Sequence, residues 1–107
     1  MRLLLVEDDR LLAEGLASQL EKAGFSVDVT GTAKEAMLLG VQEDYRAAVL
    51  DLGLPDGNGL DVLRKWRRDN ASFAVLILTA RGDWKDKVSG LKPARTIILV
   101  NPFRLKN

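Results

Sequence analysis

Short apolar runs alternate along this chain with segments in which apolar residues recur at helical spacing. A continuous apolar run between polar residues is typical of a strand buried on both faces of a sheet. The run at 25–29 instead alternates apolar and polar residues, which indicates an edge strand. The predicted strands are 3–6, 25–29, 47–50, 74–78 and 96–100.

The segments between these strands are predicted to be helices. The first, about 10–23, carries Leu12, Leu16 and Leu20 at i, i+4 and i+8, which is the pattern of an amphipathic helix. Its start can be capped by Asp8 or Asp9, and Gly24 ends it. The other predicted helices run from the capping box Thr32–Glu35 through Gly40, from Asn58 to the basic cluster 64–68, and from Asp83 to Pro93.

Strands that alternate with helices predict an α/β fold, in which a parallel sheet carries helices on both faces. The 107 residues suit one compact domain, and 47% hydrophobic residues supply its core. No internal repeat, linker or second domain is visible. The loop "GLPDGNG" is predicted from its Gly, Pro and Asn content.

Composition excludes several classes of function. Sixteen basic and fifteen acidic residues give a net charge of +1, which does not favour nucleic-acid binding. The chain has no Cys and no His, so thiolate chemistry, imidazole catalysis and the usual zinc sites are excluded. A bound metal must therefore be a hard cation held by oxygen. No apolar run approaches a membrane span, and a cytoplasmic protein is expected.

Acidic residues stand at the ends of two predicted strands. Glu7 and Asp8 follow the first strand, and Asp51 follows the third. Ligands of open parallel sheets bind at the carboxyl ends of strands, so these carboxylates are expected to share one pocket if the two strands are neighbours. Three carboxylates without His or Cys predict a Mg²⁺ site, and Mg²⁺ commonly binds phosphates. Asp51 is the candidate nucleophile for an aspartyl phosphate, and the Thr79 hydroxyl can donate to a phosphate oxygen.

Each of these residues also has a simpler interpretation. Asp9 is expected to be a helix cap, a lone Asp after a strand is often a turn residue, and Thr is common at strand ends. The basic cluster 64–68 is expected to be a solvated face at a helix C-terminus, where cations fit the helix dipole. The functional interpretation rests on finding these residues together at several strand ends.

The motifs together resemble one family. The stretches "LLLVEDD", "AAVLDLGLPDGNGLDVL", "VLILTARGD", "KVSGL" and "LVNPF" are similar, in order and spacing, to the receiver domain of bacterial two-component response regulators. They look most like the class that carries a winged-helix DNA-binding output domain. The resemblance covers nearly the whole chain, so residues 1–107 are expected to form one receiver domain. It implies a flavodoxin-like, doubly wound, five-stranded parallel sheet in the order 2-1-3-4-5.

The resemblance also implies a role for each site residue. Asp51 would be the phosphoacceptor, Asp8 a direct Mg²⁺ ligand, and Glu7 a ligand acting largely through water. The Gly53 carbonyl would be the third protein ligand of the metal. Thr79 would follow the phosphate as the switch hydroxyl, and the Ala80 N–H would help to bind it. The phosphoryl group would come from a sensor histidine kinase or a small phosphodonor, and DNA would be bound only by an output domain outside this chain.

Two positions depart from the family. Family members place a Lys before the Pro-Phe dipeptide, and this chain has Asn101 there, which adds no positive charge at the phosphoryl group. The aromatic switch position is occupied by Ile98. Both changes predict weaker coupling between phosphorylation and the switch.

The chain stops at Asn107, where the family continues into a last helix that covers one side of the sheet. A missing or truncated last helix predicts exposed apolar surface. Truncation, a disordered end and association into a homodimer through that face all stay open.

Two other functions remain as alternatives to a phosphorylation-competent receiver. A degenerate receiver, acting as a protein-interaction module independent of phosphorylation, is favoured by Asn101 alone. A small Mg²⁺-dependent phosphatase would need a second Asp two residues after the nucleophile, and Gly53 stands at that position. The leading expectation is therefore a signalling switch that assists its own phosphorylation and is not a turnover enzyme.

Overall fold

The computed structural model of this chain describes residues 1–79 and 96–100. Within these ranges the chain alternates strands and helices, as the apolar pattern predicts. The strands are β1 (Arg2–Val6), β2 (Ser26–Thr30), β3 (Ala47–Asp51), β4 (Gly53–Leu54), β5 (Gly57–Asn58), β6 (Ala74–Thr79) and β7 (Thr96–Val100), and the helices are α1 (Arg10–Lys22), α2 (Ala33–Gln42) and α3 (Gly59–Arg68).

The main sheet has five parallel strands in the order β2-β1-β3-β6-β7. Since β6 and β7 are the fourth and fifth strands that the sequence predicts, the predicted fold class and the order 2-1-3-4-5 are confirmed. The edge position of β2 is confirmed as well, although the strand begins at Ser26 and ends at Thr30. The helix predicted after Asp83 and the expected loss of a last helix lie outside the described residues.

Apolar side chains of β1, β3 and β6 are packed on both faces of the sheet, which explains why these strands read as continuous apolar runs. On one face, Leu4, Val6 and Leu50 pack with residues of α2 and α3, including the fully buried Trp66. On the other face, a smaller cluster packs against α1. This second cluster contains Leu3, Leu5, Ala13 and Val49, with Leu16 and Leu20 partly buried against it.

Two helix caps agree with the sequence. Asp9 is the N-cap of α1 and its carboxylate accepts from the Leu12 N–H at 3.1 Å. Asn58 is the N-cap of α3 and its side-chain oxygen accepts from the Leu60 N–H at 2.8 Å. The chain leaves α1 through Gly24, whose φ of +103° a side chain would oppose.

The capping box predicted at Thr32–Glu35 is only half formed. The Thr32 hydroxyl accepts from the Glu35 N–H at 3.2 Å, as predicted. The Glu35 carboxylate, however, accepts from the Thr30 hydroxyl and does not cap the Thr32 N–H. The Thr32 N–H instead points to that same Thr30 hydroxyl at 3.5 Å, so a hydroxyl two residues upstream replaces the carboxylate.

Two further expectations need correction. The stretch "GLPDGNG" is not only a loop, because β4 and β5 pair as a small antiparallel hairpin within it. The basic cluster 64–68 is not uniformly solvated: the Arg67 guanidinium donates to the carbonyls of Ala71 and Phe73 at 2.8 and 2.9 Å. Arg67 therefore ties the end of α3 to the segment that enters β6. In the part of the chain that the structure describes, no helix is both long enough and apolar enough to span a bilayer.

Candidate functional site

The carboxylates of Glu7, Asp8 and Asp51 lie together at the carboxyl ends of β1 and β3. Val6 is in register with Leu50, so the residues that follow them, Glu7 and Asp51, stand at the same level on neighbouring strands. One carboxylate oxygen from each of the three acids lies within 4.8 Å of the others. The structure thus brings together the three acids that the sequence places at strand ends.

Glu7 is buried, and backbone contacts fix its position. Its N–H donates to the Thr30 carbonyl at 2.9 Å, which extends the pairing of β1 and β2 by one residue. Its carboxylate accepts from the Asp9 N–H at 2.9 Å. Glu7 is only 3% exposed, whereas its neighbour Asp8 is exposed. One acid of the pair therefore points inward while the other faces solvent.

Asp51 is the last residue of β3 and is 4% exposed. Its surroundings depend on Gly59, where a Cβ would overlap the Asp51 carbonyl oxygen and lie 2.9 Å from the Leu52 Cα. The Gly59 N–H donates to the Leu52 carbonyl at 3.0 Å. Between them, β4 and β5 pair Gly53 with Asn58. The chain after Asp51 thus turns back on itself and passes close to the Asp51 backbone.

Asp56, at the turn of this hairpin, makes contacts that the sequence did not predict. Its carboxylate accepts from the N–H groups of Ala33 and Lys34, the first two residues of α2, at 2.6 and 3.1 Å. These backbone hydrogen bonds lower the pKa of Asp56. The local sequence pattern gives little indication that a residue 22 and 23 positions away caps α2. The only hint is that Thr32 can accept from just one of the first N–H groups of this helix.

The remaining predicted site residues are partly described. Thr79 ends β6, one residue beyond Leu78, which is in register with Asp51, so the Thr79 backbone lies at the same edge of the sheet. Ile98 lies in β7 in register with Ile77. Ala80 and Asn101 lie outside the described residues.

The three-acid cluster fits a hard cation in size and chemistry. Oxygens on opposite sides of an octahedral Mg²⁺ are about 4.2 Å apart, given metal–oxygen distances of 2.0–2.1 Å. A spread within 4.8 Å can therefore be bridged by one ion if one carboxylate binds through water. Two of the three acids are buried, and adjacent buried carboxylates repel each other unless a positive charge lies between them. The donor set therefore suits Mg²⁺ better than a transition metal.

Comparison with known proteins agrees with this geometry. Residues 3–107 match the model of the response regulator receiver domain. The chain is 50% identical over 105 residues to the transcriptional regulatory protein PmrA of Pectobacterium parmentieri, covering 98% of this chain and 47% of PmrA. The chain spans about half the length of the curated relatives it matches.

Solved structures point to the same fold. The non-phosphorylated HemR receiver domain from Leptospira biflexa is 35% identical, with a TM-score of 0.84 over 97% of this chain and 84% of HemR. A response regulator from Burkholderia pseudomallei, solved with a phosphorylated aspartic acid, a calcium ion and citrate, is 25% identical, with a TM-score of 0.82 over 94% of this chain and 59% of that one. Sequence, topology and the acidic cluster agree, and the chain belongs to the receiver domain family of two-component response regulators.

Proposed function

We propose that residues 1–107 form a receiver that accepts a phosphoryl group on Asp51 in a Mg²⁺-dependent reaction. The observation that carries the proposal is the cluster of Glu7, Asp8 and Asp51, whose oxygens lie within 4.8 Å of one another. Glu7 and Asp51 are both buried, which restricts the movement of two of the three carboxylates. The protein acts as a phosphoacceptor that assists its own modification, and turnover of substrate is not its role.

Asp8, Asp51 and the Gly53 carbonyl are the proposed protein ligands of the cation, with Glu7 acting through water. Bound Mg²⁺ supplies charge neutralisation at the phosphoryl oxygens and offsets the repulsion among the acids. The hydrogen bond from the Asp9 N–H holds the Glu7 carboxylate in place. The calcium ion and phosphorylated aspartic acid of the Burkholderia pseudomallei regulator support this assignment by analogy.

The Asp51 carboxylate is the nucleophile in an in-line displacement at phosphorus. One Asp51 oxygen forms the new bond to phosphorus while the bond from phosphorus to the donor nitrogen breaks, and that nitrogen keeps the electron pair. The Thr79 hydroxyl and the Ala80 N–H are proposed to hold the transferred oxygens. The register of β6 with β3, which brings the Thr79 backbone to the edge where Asp51 stands, supports the role of Thr79.

A sensor histidine kinase is the proposed physiological donor, and a winged-helix output domain is the proposed target of the switch. PmrA is a transcriptional regulatory protein roughly twice the length of this chain, which supports an output domain of that kind. Phosphorylation would bias the receiver between two conformations, and dimerisation is one way to pass that bias to DNA binding.

Intact mass spectrometry tests the proposal. The protein is incubated with Mg²⁺ and phosphoramidate, and a gain of one phosphoryl group is expected. EDTA and Asp51→Ala should each abolish the gain. Asp44→Ala, which removes an exposed carboxylate between α2 and β3, is the matched control and should leave the gain unchanged. Labelling that survives Asp51→Ala would refute the assignment of the phosphoacceptor.

A second candidate, a receiver that binds partners without responding to phosphate, is favoured by Asn101. The uncharged amide would not neutralise a phosphoryl group as the family Lys does. The same experiment separates the two functions. Normal Mg²⁺ binding without any gain in mass would favour the binding module.

A further inference from the structure

We propose that Asp56 is a positioning residue that ties the hairpin after the phosphoacceptor to α2 and thereby holds the cation site in its binding geometry. This inference rests on the proposed function, because it concerns the same Mg²⁺ site. Asp56 does not contact the ion in this proposal. It acts through the hairpin that carries Gly53, the proposed carbonyl ligand.

The first supporting observation is the pair of hydrogen bonds from α2. The Ala33 and Lys34 N–H groups donate to separate Asp56 oxygens, Oδ1 at 2.6 Å and Oδ2 at 3.1 Å. The Thr32 hydroxyl accepts from the next N–H, that of Glu35. The first three N–H groups of α2 are therefore satisfied by two residues, of which only Asp56 belongs to another part of the chain.

The second observation is a close backbone approach at the same place. A Cβ added to Gly57 would lie 3.2 Å from the Ala33 Cβ, so β5 runs directly against the start of α2. The hairpin has only two residues in each strand, and a hairpin of that size is not stable by itself. Its position therefore depends on such anchors.

The third observation links α2 back to the acids. The chain that leads into α2 passes against the end of β1: the Thr30 carbonyl accepts from the Glu7 N–H at 2.9 Å, and a Cβ on Gly31 would lie 3.4 Å from the Asp8 Cα. Contacts thus run from Glu7 and Asp8 to the start of α2, and through Asp56 to the hairpin that follows Asp51. Asp56 thus completes a continuous series of contacts around the cation site.

Loss of Asp56 should therefore loosen the hairpin while leaving all three acids in place. Cation binding would then have to order the hairpin, and that entropic cost weakens affinity. Changes in groups that orient metal ligands typically cost about 10–100-fold in affinity. Asp56 acts one step further from the ion, so we expect its loss to increase the Mg²⁺ dissociation constant by about three- to tenfold.

Isothermal titration calorimetry with MgCl₂ measures this directly on the unphosphorylated protein. Asp56→Ala should weaken Mg²⁺ binding by the stated factor, and Asp56→Asn should recover part of it because one acceptor oxygen remains. The matched control is Thr32→Ala, which also removes a side-chain cap from α2 but none of the hydrogen bonds that Asp56 makes. It should bind Mg²⁺ within about twofold of the wild type, since its loss is confined to helix capping.

A second readout separates positioning from chemistry. In the phosphoramidate reaction, Asp56→Ala should raise the Mg²⁺ concentration that gives half the maximal rate and leave the maximal rate unchanged. Equal Mg²⁺ affinity in Asp56→Ala and wild type would overturn the inference, and so would equal weakening by Thr32→Ala. If the wild type binds Mg²⁺ but gains no phosphoryl group, the proposed function fails while calorimetry still decides this point. A wild type that binds no Mg²⁺ overturns both.

Discussion

The two ends of one parallel sheet hold their acidic side chains in opposite ways. At the carboxyl ends of β1 and β3, Glu7, Asp8 and Asp51 gather their oxygens within 4.8 Å. Near the amino end of β1, Asp28 and Glu43 pair with the Arg2 guanidinium, and Asp28 also accepts from the Tyr45 hydroxyl. The same residue type is therefore proposed to bind a cation at one end and forms ion pairs within the fold at the other.

At the amino end, Arg2 is the centre of the network. Its guanidinium contacts Asp28 at 2.5 Å and Glu43 at 2.8 Å, and it lies 4.9 Å from the centre of the Tyr45 ring. The Tyr45 hydroxyl donates to Asp28 at 2.7 Å. The Tyr45 hydroxyl and the Arg2 guanidinium lower the pKa of Asp28, while burial and the Asp28 carboxylate raise the pKa of Tyr45.

The partners of each acid distinguish one that stabilises the fold from one that could bind a ligand. Asp28 is stabilised in its charged form by partners within the chain. The acids at the carboxyl end bring one carboxylate oxygen each within 4.8 Å of one another, an arrangement that one hard cation could bridge. A cluster of acids that one cation can bridge becomes more stable when the ion binds, so it can respond to a ligand.

The largest effect is expected from Gly59→Ala, which disturbs the backbone next to Asp51 and leaves the Arg2 network at the other end of the sheet unchanged. The new Cβ would overlap the Asp51 carbonyl, and backbone must move to admit it. We expect a loss of about 3 kcal/mol in the free energy of unfolding, measured by urea denaturation, together with slower labelling of Asp51.

Gly15→Ala is the matched control for this change. A Cβ at Gly15 meets nothing within 4 Å, and the residue lies inside α1, so Ala should raise stability by about 0.5–1 kcal/mol. A Gly59→Ala protein as stable as the wild type would show that the backbone after Asp51 is not held as tightly as these distances indicate.

The fold was predictable because its signals are local. Apolar runs fix the strands of the main sheet, and Asp9 and Asn58 sit directly before the helices that they cap. Parallel strands end at the same edge, so Glu7 and Asp51 were expected to share a pocket if their strands were neighbours. The resemblance to receiver domains implied that order, and β1 does pair with β3. Periodicity was sufficient for the strands and the helices, whereas the strand order needed the resemblance.

Features that local sequence patterns do not encode were missed or wrong. The β4–β5 hairpin has strands too short to show a period, and Asp56 caps a helix that begins more than twenty residues earlier. Glu35 is bound by Thr30, although its spacing from Thr32 predicts a capping box. Arg67 turns inward to two carbonyls within a run that reads as solvated. Each outcome was decided by which partner the tertiary fold places nearby.

Replacing one carboxylate by an amide at each end of the sheet tests whether the two acids affect stability in opposite directions. In EDTA, Asp51→Asn should raise the free energy of unfolding by about 1 kcal/mol because it relieves repulsion among the acids. Asp28→Asn should lower it by about 1 kcal/mol or less, since the Asp28 side chain is 43% exposed and solvent screens its ion pair. Urea denaturation at neutral pH measures both changes.

Addition of Mg²⁺ provides the control for that pair. An ion that binds only the folded state stabilises it, so wild type and Asp28→Asn should both gain stability while Asp51→Asn gains less. Destabilisation by Asp51→Asn in EDTA would mean that the contacts of Asp51 within the chain outweigh the repulsion among the acids, and the contrast between the two ends would be lost.

The smallest effect expected is the pH dependence of the amino-end network. Because the pKa of Asp28 is lowered in the folded state, its contribution to stability is complete above the unfolded value of about 4. The contribution is lost as the pH falls through the lower folded value. The stability gap between wild type and Asp28→Asn should therefore be constant from about pH 7 to pH 5 and close below about pH 4.

Tyr45 provides the complementary test at high pH. Its pKa is raised in the folded state, so its contribution is complete below the unfolded value of about 10 and is lost as the pH rises further. The gap between wild type and Tyr45→Phe, measured by urea denaturation from pH 8 upward, should begin to close above about pH 10. A gap that stays constant would mean that neither burial nor a hydrogen bond to Asp28 raises the pKa of Tyr45 in solution. The amino-end network would then consist of the Arg2 ion pairs alone, which are exposed enough for salt to screen them.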